Sequence, residues 1–302
     1  MSTIAAFEKE IKLQVSFVQN FVSQNQLSIS KQKQTIFCGT GDSFVAALLA
    51  EAFSNFRARS FDPLDLLKNK QLVKNKKLYL ISISGNTVSN IRLAKTSKYT
   101  TAVTANPQSR LSRACKNSIL LQYPNSGIFT AGSISFLASA LACISLVSKV
   151  RIRNVFGLYK RAETQSRKTR LEGKVFVLGN LHTFPVAMFG AAKLYETVGL
   201  DAHYERIEQF SHTGLFSAKR GDTVIIFEEK NRYNSKLALN LKKYGLHVVQ
   251  FQPNTKNIQE TVLFFVFVSE IIALYHAKKK NQKDCFFVTA KKLRKASSSM
   301  IY

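Results

Sequence analysis

Seven short apolar runs rich in Val, Ile, Phe and Tyr, set between longer stretches of helical pattern, constrain this chain more than any other feature. They fall at residues 35–38, 77–83, 100–104 and 118–122, and again at 174–178, 222–227 and 246–251. A strand covered on both faces reads as a nearly continuous apolar run, and strands alternating with helices build a parallel sheet. The 302 residues suffice for two domains at roughly 100–200 residues each. Residues 149–174 hold nine Lys/Arg and two Glu, with few bulky apolar side chains after Tyr159, and read as the connector. The expected architecture is therefore α/β: two three-layer αβα sandwiches, each with a mostly parallel sheet, at residues 1–155 and 156–302.

A faint internal repeat supports that division. A shift of 140 residues aligns TIFCGTGDSF with VFVLGNLHTF, so that Gly39 meets Gly179, Ser43 meets Thr183 and Phe44 meets Phe184. A shift of 145 aligns KLYLISISGN with DTVIIFEEKN, and the small polar loop of the first copy becomes Glu228-Glu229-Lys230 in the second. If the halves are duplicates, only the first has kept a loop hospitable to an anion.

Two loops in the first half carry the strongest chemical signal. Gly39-Thr40-Gly41-Asp42-Ser43 follows the opening strand, and Ser82-Ile83-Ser84-Gly85-Asn86-Thr87 follows the most apolar one. At the carboxyl end of a parallel strand, such a loop leads into a helix whose first amides lack partners and attract an anion. The hydroxyls of Ser82, Ser84 and Thr87 add donors, and Gly85 lets the backbone come close to a phosphate. The same residues also suit a plain helix cap and turn. The pairing of the two loops, and their absence from the second half, favour the phosphate reading. No G-x-x-x-x-G-K-[ST] or intact G-x-G-x-x-G occurs, so nucleoside triphosphate and dinucleotide readings lack their motifs.

In order, these loops resemble the G-x-G-x-S and S-x-S-G-x-T segments of sugar isomerase (SIS) domain phosphosugar proteins in their double-domain form. The chain resembles archaeal phosphoglucose/phosphomannose isomerases and the isomerase portion of glucosamine-6-phosphate synthase. In the second half Glu196, in KLYETVGLDA, precedes His212, in EQFSHTGL, by 16 residues. Leu293-Arg294-Lys295 resembles the L-A-K terminus of the synthase, and SGIFTAGSIS, at 126–135, stands where a substrate-loop segment would.

The resemblance implies two SIS-type domains and a hexose 6-phosphate or amino-hexose 6-phosphate substrate. Gly41, Ser43, Ser82, Ser84 and Thr87 would hold its phosphate. Glu196 would be the base, His212 the ring-opening acid/base and Lys295 a further catalytic group, with no cofactor and no metal. It also implies a homodimer with His212 contributed across the interface. Aldose–ketose isomerisation through an enediol(ate) is the expected reaction, with an amino-sugar phosphate deaminase/isomerase and a non-catalytic phosphosugar-binding regulator as alternatives. Glu205 and Glu208 are rival carboxylates, and Lys291, Lys292 and Arg294 crowd the case for Lys295. The pattern is departed from twice: residues 125–136 contain no Arg, and His212-Thr213-Gly214 replaces H-G-P. No glutaminase segment is present to supply ammonia from glutamine.

The net charge, +26 from 44 Lys+Arg against 18 Asp+Glu, first suggests nucleic acid or an anionic membrane. The basic C-terminal region, from Lys278 to Lys295, lacks aromatic interleaving and any groove-reading motif, so a solvated surface is the expectation and nucleic acid is not. Two apolar runs, 134–147 and 261–275, are read as buried core helices rather than spans, the first for its shortness and the second for Glu270 at its middle. With no apolar h-region among the first thirty residues, a cytoplasmic protein is expected. Cys38, Cys115, Cys143 and Cys285 show no C-x-x-C spacing and no nearby paired His, so neither zinc site nor disulfide framework is expected.

Overall fold

A computed structural model describes all 302 residues, Met1–Tyr302. In chain order it opens with α1 (Thr3–Gln19), α2 (Ile29–Lys33), β1 (Thr35–Cys38), α3 (Asp42–Phe53), β2 (Arg59–Phe61) and α4 (Pro63–Lys68). Next come β3 (Lys77–Ile81), α5 (Val88–Ala94), β4 (Thr100–Thr104), α6 (Arg110–Ala114), β5 (Asn117–Leu120) and α7 (Ile134–Val147). The second half runs α8 (Val155–Arg167), β6 (Val175–Gly179), α9 (Thr183–Val198), β7 (Ala202–Arg206), α10 (Ile207–His212), β8 (Thr223–Ile226), α11 (Arg232–Tyr244) and β9 (His247–Gln250). It closes with α12 (Ile258–Lys279), α13 (Phe286–Thr289) and α14 (Lys291–Ile301).

Every strand pairing is parallel. The first sheet has the order β2-β1-β3-β4-β5 and the second β7-β6-β8-β9. The two orders are the same over four strands, so β1 corresponds to β6 and β3 to β8, in agreement with the sequence repeat. Two αβα domains of SIS type follow. The chain forms two compact units, each discontinuous in sequence. The first sheet's unit comprises Asn20–Pro124, Gly132–Arg151 and Lys292–Tyr302, and the second sheet's unit comprises Met1–Gln19, Asn125–Ala131 and Ile152–Lys291.

In the first unit, Ile36, Cys38, Leu78 and Leu80 pack with Leu66, Ile91, Leu93 and Leu111 on one side of the sheet. Helices α3 and α7 pack together, and α7 is buried almost all round. In the second, Phe176, Leu178, Val224 and Ile226 meet Ile207, Phe210, Ala238 and Leu241. There α12 packs against α8 and α9, with the Phe265 ring stacked 4.7 Å from that of Phe227. By length and composition α12 is apolar enough to cross a membrane, yet most of it is buried within this unit. Its Glu270 is fully buried, and Gln14 Nε2 donates to both carboxylate oxygens at 2.8 and 3.0 Å. Such pairing is what makes a carboxylate tolerable inside a core.

The supposed connector, 149–174, contains the 13-residue helix α8. Val155, Leu158, Tyr159 and Ala162 form its buried stripe, at the i, i+3, i+4, i+7 spacing of an amphipathic helix. The basic residues that suggest a linker occupy its exposed side and its flanks.

Candidate functional site

In an open parallel sheet, ligands favour the crevice at the carboxyl ends of the strands where the connection order reverses. Here the reversal falls between β1 and β3 in one sheet, and between β6 and β8 in the other. Both candidate loops of the first half lie at that point.

The loop after β1 turns sharply into α3. A Cβ on Gly39 would come within 2.8 Å of the Ser43 backbone, and Gly41 takes φ +56° as the N-cap, with no side chain capping the helix. The loop after β3 is pinned from several sides. Asn90, fully buried, donates Nδ2 to the Ile81 carbonyl at 3.0 Å, and Thr104 Oγ1 donates to Ile83 O at 3.0 Å. Gly85 O accepts from Leu111 N at 2.9 Å. Gly85 has φ +63°, and a Cβ there would lie 2.2 Å from Ser109 Oγ, so both backbone conformation and space require glycine. Ser82 Oγ and Thr87 Oγ1 are 3.1 Å apart, and Ser84 Oγ accepts from Asn86 N at 3.3 Å. The loop thus gathers three hydroxyls on a fixed turn. No acidic residue occurs between Asp65 and Glu163, so neither β3 nor its loop carries a negative charge.

The corresponding loops of the second sheet share the geometry and differ in chemistry. A Cβ on Gly179 would come within 2.6 Å of the Thr183 carbonyl oxygen, the same pinch as at Gly39. Glu228, at the end of β8, turns its carboxylate onto the start of α9. Its Oε1 accepts from Asn180 N at 3.2 Å and from Thr183 Oγ1 at 3.0 Å. The protein's own carboxylate occupies the position at which an anion would meet these donors. Burial pushes the Glu228 carboxyl above its ordinary range, against the bonds from Thr183 and Asn180 that favour the charged form.

The proposed acid/base residues Glu196 and His212 belong to the second sheet's unit, whereas the phosphate-loop residues belong to the first. Glu196 lies in the last turn of α9, with its side chain one-third exposed. Lys193 Nζ reaches its Oε2 at 2.6 Å and lies 4.8 Å from the Phe189 ring centroid. Lys193 is fully buried. A buried ammonium demands a counter-charge, and the i,i+3 spacing along α9 supplies one. Sequence reading missed Lys193 because lysine on a helix is ordinarily solvated. The available signal was its place among Ala191, Ala192 and Leu194, three residues before Glu196.

His212 ends α10 with 70% of its side chain exposed, 3.8 Å from Glu208 Oε1, which is equally exposed. Glu205 is on β7, its carboxyl against Gly214, where a Cβ would lie 2.3 Å from Oε1. Burial raises its pKa, opposed by His203. Ser126, at the start of the proposed substrate segment, is anchored to Glu10 of α1 by its amide (3.2 Å) and hydroxyl (2.8 Å). Lys295 is exposed on α14, a helix with no buried residue.

No family model matches the sequence, and no curated protein does. Solved structures do match, over nearly the whole chain. Glucosamine-6-phosphate deaminase from Thermotoga maritima has a TM-score of 0.76 at 18% identity, covering 93% of this chain and 95% of that one. The C-terminal domain of glucosamine-fructose-6-phosphate aminotransferase from Francisella tularensis has 0.71 at 14%, covering 94% and 97%. Tagatose-6-phosphate ketose/aldose isomerase from Escherichia coli has 0.66 at 16%, covering 93% and 90%. The fold is thus that of double SIS-domain proteins, among them enzymes acting on sugar phosphates.

Proposed function

We propose that this protein is a cytoplasmic aldose–ketose isomerase of hexose 6-phosphates. The observation that carries this reading is the pinned, acid-free turn from Ser82 to Thr87, which differs from its counterpart in having no carboxylate of its own to fill it. Ser82, Ser84 and Thr87, with Gly41 and Ser43, bind the phosphate dianion. That remote binding energy orients the reacting carbons. His212 moves the proton that opens the sugar ring. Glu196 then takes the proton from C2 of the open aldose as O1 gains one, giving an enediol. Return of a proton to C1, with loss of one from O2, yields the ketose. Lys193 holds the Glu196 carboxylate in one orientation. Lys295 assists by charge, and the reaction uses neither metal nor cofactor. His212 acts from a second copy of the chain in a homodimer.

A second reading is an amino-sugar phosphate deaminase/isomerase, in which the amine at C2 leaves as ammonia. Its support is the TM-score of 0.76 to the Thermotoga maritima deaminase. Coupled assays with glucose 6-phosphate, fructose 6-phosphate and glucosamine 6-phosphate separate the two. Interconversion of the first pair without ammonia release is the expected result, with activity lost in Glu196→Gln. Thermal stabilisation by these sugars without turnover of any would replace both readings with a phosphosugar-binding regulator.

A further inference from the structure

A basic concavity lies at the end of the first sheet opposite the strand-end loops. It is a cavity of about 410 Å³ between the segment leading into β3 and the turn joining α5 to β4. Strand β3 has five residues, which at about 3.3 Å each separates the cavity from the Ser82–Thr87 turn by some 15 Å. Lys70, Lys74, Lys76 and Lys98 line it together with Thr96 and Tyr99, and no Asp or Glu does. Lys76 Nζ is tied to the Lys33 carbonyl at 3.2 Å, while Lys70, Lys74 and Lys98 are exposed.

Helix α5 ends beside this cavity, and free carbonyls at a helix C-terminus would repel an anion. Here two of them are engaged: Lys95 N takes Ile91 O, and Thr96 donates its amide and hydroxyl to Leu93 O. The wall is also fixed. Leu78 N bonds Tyr99 O at 2.8 Å, and the Tyr99 ring remains 60% exposed at the rim.

Four lysines and no carboxylate line the cavity, so its potential attracts an anion. The volume is that of a small-molecule site. We propose that this cavity binds a small anion carrying a di- or triphosphate group, separately from the strand-end loops. Several lysines suit a ligand of charge about −3 or more better than a single phosphate. The exposed Tyr99 ring offers a stacking face for a nucleobase. The two sources of such a group are a nucleoside diphosphate and inorganic diphosphate.

Isothermal titration at about 0.15 M salt tests this with pyrophosphate and ADP. The proteins are the full chain, the double variant Lys74→Gln/Lys98→Gln, and Ser84→Ala. Pyrophosphate is expected to bind the unaltered chain and Ser84→Ala equally, and the double variant more weakly by about tenfold. Both substituted lysines are exposed, so the double variant is expected to keep the same melting temperature. Tighter binding of ADP, with the advantage lost in Tyr99→Ala, assigns the nucleoside source; equal binding assigns the inorganic one. Absence of pyrophosphate binding, equal binding by the double variant, or loss in Ser84→Ala would overturn the proposal. Binding of duplex DNA without binding of pyrophosphate would do the same. None of these results bears on sugar turnover, so this site and the isomerase reading stand or fall separately.

Discussion

The crevices at the ends of β1/β3 and β6/β8 have the same strand order and the same glycine pinch before the first helix, yet differ in the turn that follows β3 and β8. In one, a turn with three hydroxyls and no acid leads into α5. In the other, Glu228 already satisfies Asn180 N and Thr183 Oγ1 at the start of α9. The parallel-sheet fold therefore supplies anion-seeking amides at both places. The side chain at the end of the neighbouring strand decides whether the protein fills the position itself. In the proposed function, one half binds phosphate and the other presents Glu196 and His212.

The largest expected effect lies in that division of labour. Glu196→Gln should lower kcat about 10²–10⁴-fold, the usual contribution of a general base. KM for a hexose 6-phosphate should stay unchanged, while the melting temperature should fall because buried Lys193 loses its counter-charge. A lowered melting temperature with kcat unchanged would instead make the Lys193–Glu196 pair structural alone.

Grafting the second crevice's chemistry onto the first is the next test. Ser84→Glu should weaken hexose 6-phosphate binding about 100-fold, by like-charge repulsion and loss of a donor, measured by calorimetry. Unaltered affinity would break the comparison, because the β3 loop would then not be where phosphate binds.

Where the crevices agree, the same change should have the same consequence. Gly39→Ala and Gly179→Ala each place a Cβ against the backbone of the following helix start. Each should cost about 1–3 kcal/mol of stability, read by urea denaturation. A large cost in one and none in the other would separate the two turns.

The smallest effect concerns Glu228 itself. Glu228→Ala removes one acceptor from Asn180 N and Thr183 Oγ1, which keep their bonds to each other's residue, and should cost about 0.5–1.5 kcal/mol, whereas Glu228→Gln keeps an acceptor and should cost less. Because burial raises the folded-state pKa, the folded protein holds this proton more tightly than the unfolded chain does. The resulting stability is fully present below the ordinary carboxylate range and is lost as pH rises through the folded value. The melting temperature of the unaltered chain relative to Glu228→Gln should therefore fall between about pH 4 and neutrality. A rise over that range would contradict the assignment.

Much of this arrangement was legible before any coordinates. Strands β1 and β4 fall where their apolar runs do, and β6, β8 and β9 differ by a residue or two at the ends. The edge strands β2 and β7 were not legible. Arg59–Phe61 is three residues long, and Ala202–Arg206 is half-exposed and polar, so neither carries the pattern of a covered strand. Helix α8 was hidden by its charge, although its apolar stripe was in place. The alignment of SISGN with FEEKN exposed the change at Glu228, but not that its carboxylate folds back onto Asn180. Lys193 was overlooked because lysine on a helix is ordinarily solvated, although its place among Ala191, Ala192 and Leu194 was the signal of its burial.

The central claim is that the first crevice, and not the second, receives the phosphate. A crystal of the full chain soaked with glucose 6-phosphate tests it most directly. The account predicts phosphate density against Ser82, Ser84 and Thr87, with Glu228 still bonded to Asn180 and Thr183. Phosphate at the start of α9 with Glu228 displaced, or at neither crevice, would contradict it.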